Sequence, residues 1–230
     1  MTAHQSGATG FVGILMLDTR FPRPLGDIGN PQTFARLAIP VRYTTVHGAS
    51  PQRIVRDRDP ALLQPFIDAA TELVRQGARL VSTSCGFLAL WQAELAQALP
   101  VPVVSSSLLA CARLERPGII TIDARSLGAA TMLAAGVPQG TPVQGVAPGC
   151  EFQRRILGNE TELDPAQAQR DVVSAARRLV LDHPQLTDIV LECTNMPPYR
   201  QAVMEATGRP VVDIVSLLAQ AWADARRGGA

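Results

Sequence analysis

The chain repeats itself. Gly13-Ile14-Leu15-Met16-Leu17-Asp18-Thr19-Arg20 recurs as Gly118-Ile119-Ile120-Thr121-Ile122-Asp123-Ala124-Arg125, 105 residues later. Asp59-Pro60-Ala61 recurs as Asp164-Pro165-Ala166 at the same spacing. Cys85 answers to Cys193, and Pro102-Val103-Val104 to Pro210-Val211-Val212, both at 108 residues. Ser107-Leu108-Leu109-Ala110 answers to Ser216-Leu217-Leu218-Ala219 at 109. The marks keep their order and the offset drifts by only four residues. Solenoid repeats are about 20–50 residues long. A period this long describes a duplicated lobe.

Each copy reads as strands alternating with helices. In the first, residues 12–17, 41–46, 79–83 and 101–105 have the apolar, β-branched character of strands. Asp59 is placed to cap a helix that opens on Pro60, carries apolar residues at helical spacing and stops at Gly77. A second helix is expected over 87–98. The second copy repeats the pattern, with strands near 118–122, 142–146, 188–192 and 210–213 and helices near 165–182 and 197–206. Two further helices, about 107–115 and 216–227, follow the last strand of each copy. Such alternation specifies an α/β fold: two similar lobes, each a parallel sheet flanked by helices, related by pseudo-two-fold symmetry, with a site in the cleft between them. The last helix is expected to pack back on the first lobe, which then comprises 1–105 plus 214–230; the second lobe is 106–213. Residues 20–40, rich in Pro and Gly, read as a long loop on the side of the sheet where ligands collect, either plainly structural or covering a substrate.

Bulk properties narrow the function. Apolar residues make up 47% of the 230, enough for a substantial core, and the net charge is +1 with the basic residues dispersed. Nothing here forms the basic stripe of a nucleic-acid binder. No positive segment followed by an apolar stretch opens the chain, and no run approaches the ~20 apolar residues that span a bilayer. A cytoplasmic protein with reduced thiols is the expectation. Cys85, Cys111, Cys150 and Cys193 are too scattered for a metal site, and His4, His47 and His183 share no motif. Cys111 and Cys150 have no counterpart in the other lobe and read as structural.

Cys85 and Cys193 differ, because each falls just past the carboxyl end of an expected strand and just before a helix. Ligands of parallel α/β sheets gather there, and a helix N-terminus offers free N–H groups that favour a thiolate. Two thiols facing one cleft from opposite lobes suit the inversion of a carbon centre: one takes a proton from one face and the other delivers a proton to the opposite face. The resulting carbanion needs hydrogen-bond donors on its carboxylate; Ser82, Thr83, Ser84, Thr194 and Asn195 are near at hand. The bland alternative is a pair of small buried apolar residues.

The motifs Thr83-Ser84-Cys85-Gly86-Phe87 and Leu191-Glu192-Cys193-Thr194-Asn195-Met196-Pro197-Pro198-Tyr199 resemble the two cysteine motifs of the aspartate/glutamate racemase superfamily. That superfamily includes glutamate, aspartate and hydantoin racemases, maleate isomerase and arylmalonate decarboxylase. The resemblance implies two lobes with the site between them, no cofactor or metal, a small-molecule carboxylate as substrate, and Cys85 and Cys193 as the acid/base pair. It implies that Asp18 assists the first thiol and that Thr83, Ser84 and Thr194 contact the substrate's carboxylate or amine; Gly86, Asn195 and Asp123 are further candidates for substrate binding. A homo-oligomer is left open by analogy with relatives that dimerise. Two departures argue against glutamate as substrate. Asn195 stands where glutamate racemases have a histidine, and Gly86-Phe87 where they have Asn-Thr. Asparagine cannot shuttle a proton, so help for Cys193 has to come from elsewhere. Glu192 is one candidate, with a solvated or structural role as its alternative.

The repeated Asp-x-Arg admits two readings. Asp18 and Asp123 could support the two thiols, with Arg20 or Arg125 binding a carboxylate; or both pairs could be mirrored salt bridges left from duplication. The expected function is therefore a racemase or epimerase of an amino acid or related carboxylate. A decarboxylase or cis–trans isomerase using the thiols differently and a non-catalytic ligand-binding protein remain as alternatives. A dehydrogenase is disfavoured, since Gly26 and Gly29 do not form a dinucleotide fingerprint.

Overall fold

The computed structural model describes residues 10–227. His4 and the amino-terminal segment read above for a leader lie outside the described residues.

The first half runs β1 (Phe11–Leu17), α1 (Pro31–Ala35), β2 (Val41–Val46), α2 (Leu63–Arg75), β3 (Ala78–Thr83), α3 (Gln92–Ala98) and β4 (Val103–Val104). The second runs β5 (Pro117–Thr121), α4 (Ala129–Ala134), β6 (Val143–Gly145), α5 (Glu151–Leu157), α6 (Pro165–Asp182), β7 (Asp188–Leu191), α7 (Arg200–Thr207), β8 (Val211–Val212) and α8 (Ile214–Arg227). The two four-stranded sheets are ordered β2-β1-β3-β4 and β6-β5-β7-β8, the same permutation, and every pairing is parallel. Duplication in sequence is duplication in topology.

The physical reasons recur as well. β1 is buried along its whole length, as a strand covered on both faces has to be. Its residues part at period two. Phe11, Leu15 and Leu17 enter the core shared with α2, whereas Val12, Ile14 and Met16 join a second cluster with Phe34 of α1 and Ile214, Leu218 and Trp222 of α8. Gly13 and Gly118 open the two repeats because a helix packs against each. A Cβ at Gly13 would lie 3.0 Å from Leu73 of α2, and one at Gly118 2.9 Å from Leu179 of α6. The repeated Asp-Pro-Ala is a repeated cap. Asp59 accepts from Ala61 N–H at 3.0 Å; Asp164 accepts from Ala166 N–H at 2.9 Å and Gln167 N–H at 3.1 Å.

Several elements are shorter or tighter than their periodicity suggests. The strands expected over 101–105 and 210–213 pair only at Val103–Val104 and Val211–Val212. The helices expected over 87–98 and 197–206 begin as 3-10 turns, Gly86–Trp91 and Pro197–Tyr199. Residues Ser107–Arg113 form a 3-10 segment throughout, with Ser107 Oγ donating to the Leu191 carbonyl at 2.7 Å. The loop expected over 20–40 contains α1, capped by Asn30 with Pro31 at its first turn. Among the described residues, no helix is long and apolar enough to cross a membrane.

Candidate active site

Both motif cysteines line one cavity between the lobes. Cys85 follows β3 and Cys193 follows β7, and β3 and β7 hold equivalent places in their sheets. The walls are mostly apolar: Leu17, Phe21 and Val55 from the first lobe, Ile122, Ile156 and Leu157 from the second. Its polar lining comes from the thiols, Glu192 and Asn195. Thr194 binds the two cysteine loops together, its hydroxyl donating to the Ser84 carbonyl at 2.6 Å.

Burial decides the state of the thiols. It pushes Cys85 up to about 12, with a nearby negative charge on Glu192 adding to the effect, against the N–H groups of Phe87 and Leu88 and the Arg23 charge. Cys193 rises by the same two causes, opposed by the Asn195 N–H. The thiolate-favouring effect expected from the helix starts is present but outweighed by desolvation. Each sulfur rests as a thiol.

Glu192 is not solvated. It is 0% exposed, Thr121 Oγ1 donates to its Oε2 at 2.8 Å, and its Oε1 has no partner. Burial raises the carboxyl from 4.5 to about 8, against the Thr121 hydrogen bond. Gly86 stands opposite, where a Cβ would come within 2.3 Å of both Oε1 and the Glu192 carbonyl oxygen. The absence of a side chain at Gly86 is what admits Glu192 to the cavity.

Asn195 links Cys193 to the first lobe. The Cys193 thiol donates to its Oδ1 at 3.6 Å, and its Nδ2 donates to Asp27 Oδ2 at 2.7 Å. Asp27 is 1% exposed and also accepts from Arg23 at 2.8 Å. Arg23 in turn donates to Thr19 at 2.9 Å and stacks over Phe21. The Pro/Gly-rich loop after β1 thus delivers a buried acid to the second lobe's cysteine. Sequence reasoning marked that loop's position and not Asp27, Arg23 or Thr121; an Asp between Gly26 and Ile28 carries no signal that it will be buried.

The other expected site residues fall into two groups. Thr83, Ser84 and Thr194 surround the thiols, yet their hydroxyls serve the protein. Thr83 donates to the Ser105 carbonyl at 2.7 Å, and Ser84 accepts from Leu17 N–H at 2.8 Å. Asp18 and Asp123 stand away from the cavity lining. Asp18 is half exposed, accepts from Gly48 N–H at 3.1 Å and lies 3.8 Å from His47. Asp123 closes its own turn, accepting from Arg125 N–H and Ser126 Oγ at 3.0 and 3.1 Å. Arg20 and Arg125 are exposed and make no salt bridge to these aspartates. Each Asp lies beyond the end of its strand, one residue past Leu17 or Ile122, and only the latter two line the cavity.

No family model matches the chain. A dimethylsulfoniopropionate lyase of Durusdinium sp. clade D is 28% identical over 220 residues, covering 89% of this chain and 71% of that protein. Dimethylsulfoniopropionate lyase 6 of Emiliania huxleyi (strain CCMP1516) is 31% identical over 225 residues. There the alignment covers 89% of this chain but 57% of the relative. Among solved structures, a sulfate-associated mutant of arylmalonate decarboxylase superposes with a TM-score of 0.63 at 20% identity, over 96% of this chain and 94% of that one. Glutamate racemase from Thermus thermophilus gives 0.57 at 20% identity, over 96% and 81%.

Proposed function

Because this chain has the two-lobed fold of the aspartate/glutamate racemase superfamily, we propose that it is a cofactor-independent enzyme that removes the proton next to the carboxylate of a small substrate, with Cys85 and Cys193 as its acid/base groups. The observation that carries this reading is that both thiols line the same largely apolar cavity. A thiolate formed from one of them takes the proton, and the charge spreads onto the substrate's carboxylate as an enediolate.

The next step depends on the neighbouring carbon. Where it bears no leaving group, the opposing thiol returns a proton to the other face and the centre inverts. Where it bears a sulfonium, the electron pair of the broken C–H bond forms the C=C bond, the C–S bond breaks, and a neutral thioether leaves with its electrons. The elimination reading comes first, on two grounds. Alkyl groups on a sulfonium suit apolar walls that include the Phe21 and Phe87 rings, whereas a second carboxylate finds no free cation in the lining. The lyases aligned above also act, by their name, on a sulfonium carboxylate. Racemisation of a small apolar carboxylate stands second, and decarboxylation, which needs one protonating thiol, third.

Nuclear magnetic resonance in D₂O tests the proposal. The protein is incubated with dimethylsulfoniopropionate, with single enantiomers of small amino and hydroxy acids, and with an arylmalonate. Thioether release, or deuterium entering the carbon beside the carboxylate of an amino or hydroxy acid, supports it; carbon dioxide release from the arylmalonate alone favours the decarboxylase reading in its place. A panel in which substrates bind and none reacts makes the chain a binding protein.

A further inference from the structure

Of the four buried side-chain polar atoms without a partner among the described residues, one belongs to the thiol cavity: Glu192 Oε1. Its setting is specific. Thr121 Oγ1 sits 2.8 Å from Oε2, which leaves Oε1 as the oxygen with no protein partner. Gly86 leaves the room that Oε1 occupies. No cation pairs with the group: Arg23, the nearby guanidinium, is engaged by Asp27 and Thr19. The hydroxyls of Thr83 and Thr194 donate to backbone carbonyls, and Ser84 Oγ accepts from a backbone N–H. Glu192 Oε1 is thus a buried oxygen in the cavity lining with its hydrogen-bonding capacity unspent.

We propose that Glu192 is a catalytic residue, held as a neutral carboxylic acid, whose Oε1–H donates to the substrate's carboxylate and strengthens that bond as the adjacent carbon gives up its proton. The inference rests on the proton-abstraction reading and names the group that stabilises the developing charge. Two carboxylates in one desolvated cavity cannot both remain ionised, so a proton between them is what lets the substrate enter. As the enediolate forms, its oxygen gains charge, and a donor already aimed at it needs no rearrangement. The groups facing Glu192 are consistent with this. The thiols of Cys85 and Cys193 are neutral at rest, and Asp27 is turned to Asn195 and Arg23. Burial also favours the protonated carboxyl near neutral pH.

Two variants and three readouts test this. Glu192→Gln keeps an N–H donor and lets its oxygen accept from Thr121; Glu192→Leu keeps bulk and loses the donor. The infrared difference between wild type and Glu192→Gln near neutral pH should contain the carbonyl band of a protonated acid. Propionate, the probe ligand, should bind wild type and Glu192→Gln with similar affinity, and Glu192→Leu at least about tenfold more weakly. Turnover should survive in Glu192→Gln within about tenfold and fall about 10²–10³-fold in Glu192→Leu, the usual cost of losing an oxyanion donor. An ionised carboxylate band, or a Glu192→Gln variant as impaired as Glu192→Leu, overturns the assignment. If no protein turns over any carboxylate, the proposed function fails by itself. The band and the propionate affinities then decide the role of Glu192: both as expected uphold it as the carboxylate donor, and either one missing overturns it.

Discussion

Asn195 and Asp27 meet across the lobe boundary, the amide Nδ2 of one donating to the carboxylate of the other at 2.7 Å. That bond fixes which way the amide faces. With Nδ2 spent on Asp27, Oδ1 is turned to Cys193 and accepts its thiol hydrogen. The loop between β1 and α1 therefore orients the side chain that faces Cys193 of the other lobe. Asp27→Ala should cost stability by about 1.5–3 kcal/mol, the range for hydrogen bonds to charged groups, because Asn195 and Arg23 both lose their acceptor. It should also lower kcat about tenfold or more with KM little changed, while Asp27→Asn, which keeps an acceptor oxygen, recovers part of the loss. Thermal denaturation and steady-state kinetics on the three proteins check this; equal kcat in all of them would contradict it.

Gly86 is intolerant for a steric reason and not a conformational one. A methyl group there meets Glu192 Oε1 and the Glu192 carbonyl, each at 2.3 Å. Gly86→Ala should destabilise the fold by about 1–3 kcal/mol, as overpacking does, and should displace the carboxyl. Pairing it with Glu192→Ala should restore part of the stability without the activity. A denaturant titration of the single and double variants reads the coupling.

Stability should depend on pH through Glu192. Between 4.5 and about 8 the folded chain holds a proton that the unfolded chain has released. Stability therefore falls as pH rises through that window. A carboxyl raised this far accounts for at most about 5 kcal/mol by pH 8. Melting temperatures across the window should decline in wild type and decline less in Glu192→Gln. Parallel curves for the two proteins would show that Glu192 carries no raised pKa.

The rate should follow two opposed ionisations. Thiolate supply grows about tenfold per pH unit while pH stays below the thiol values, and Cys85 reaches its midpoint only at about 12. From about 8 upward Glu192 loses its proton and offsets that gain. In wild type kcat/KM should climb and then level near pH 8; in Glu192→Gln it should continue to climb. Iodoacetamide should accordingly label Cys85 and Cys193 slowly near neutral pH and faster as pH rises.

The architecture was readable because duplication, caps and strand periodicity are local signals. The paired Gly13 and Gly118, the paired Asp59 and Asp164, and the strands that carry Cys85 and Cys193 all stand in the sequence as repeats. What was not readable depends on contacts between distant segments. Asp27 is tied to the cavity because Asn195, 168 residues away, reaches it. Glu192 is buried because Gly86 yields space and Thr121 supplies a hydrogen, neither of which is written beside it. Asp18 and Asp123 matched a family position and a repeat, but past the strand ends they are engaged by Gly48 and by the Arg125–Ser126 turn, outside the lining that Leu17 and Ile122 join. The thiols were expected to be acidified by the helix starts behind them; their burial outweighs that, and burial is a property of the assembled core.

The central claim is that the cavity shared by Cys85 and Cys193 is where the carbon-bound proton is removed. Its most direct test is the release of label from a substrate deuterated beside its carboxylate, followed in wild type, Cys85→Ser and Cys193→Ser. Loss of a positioned acid/base group costs about 10²–10⁴-fold, so label release should fall by that factor in at least one variant while both remain folded. Release at the wild-type rate from both serine variants would contradict the account.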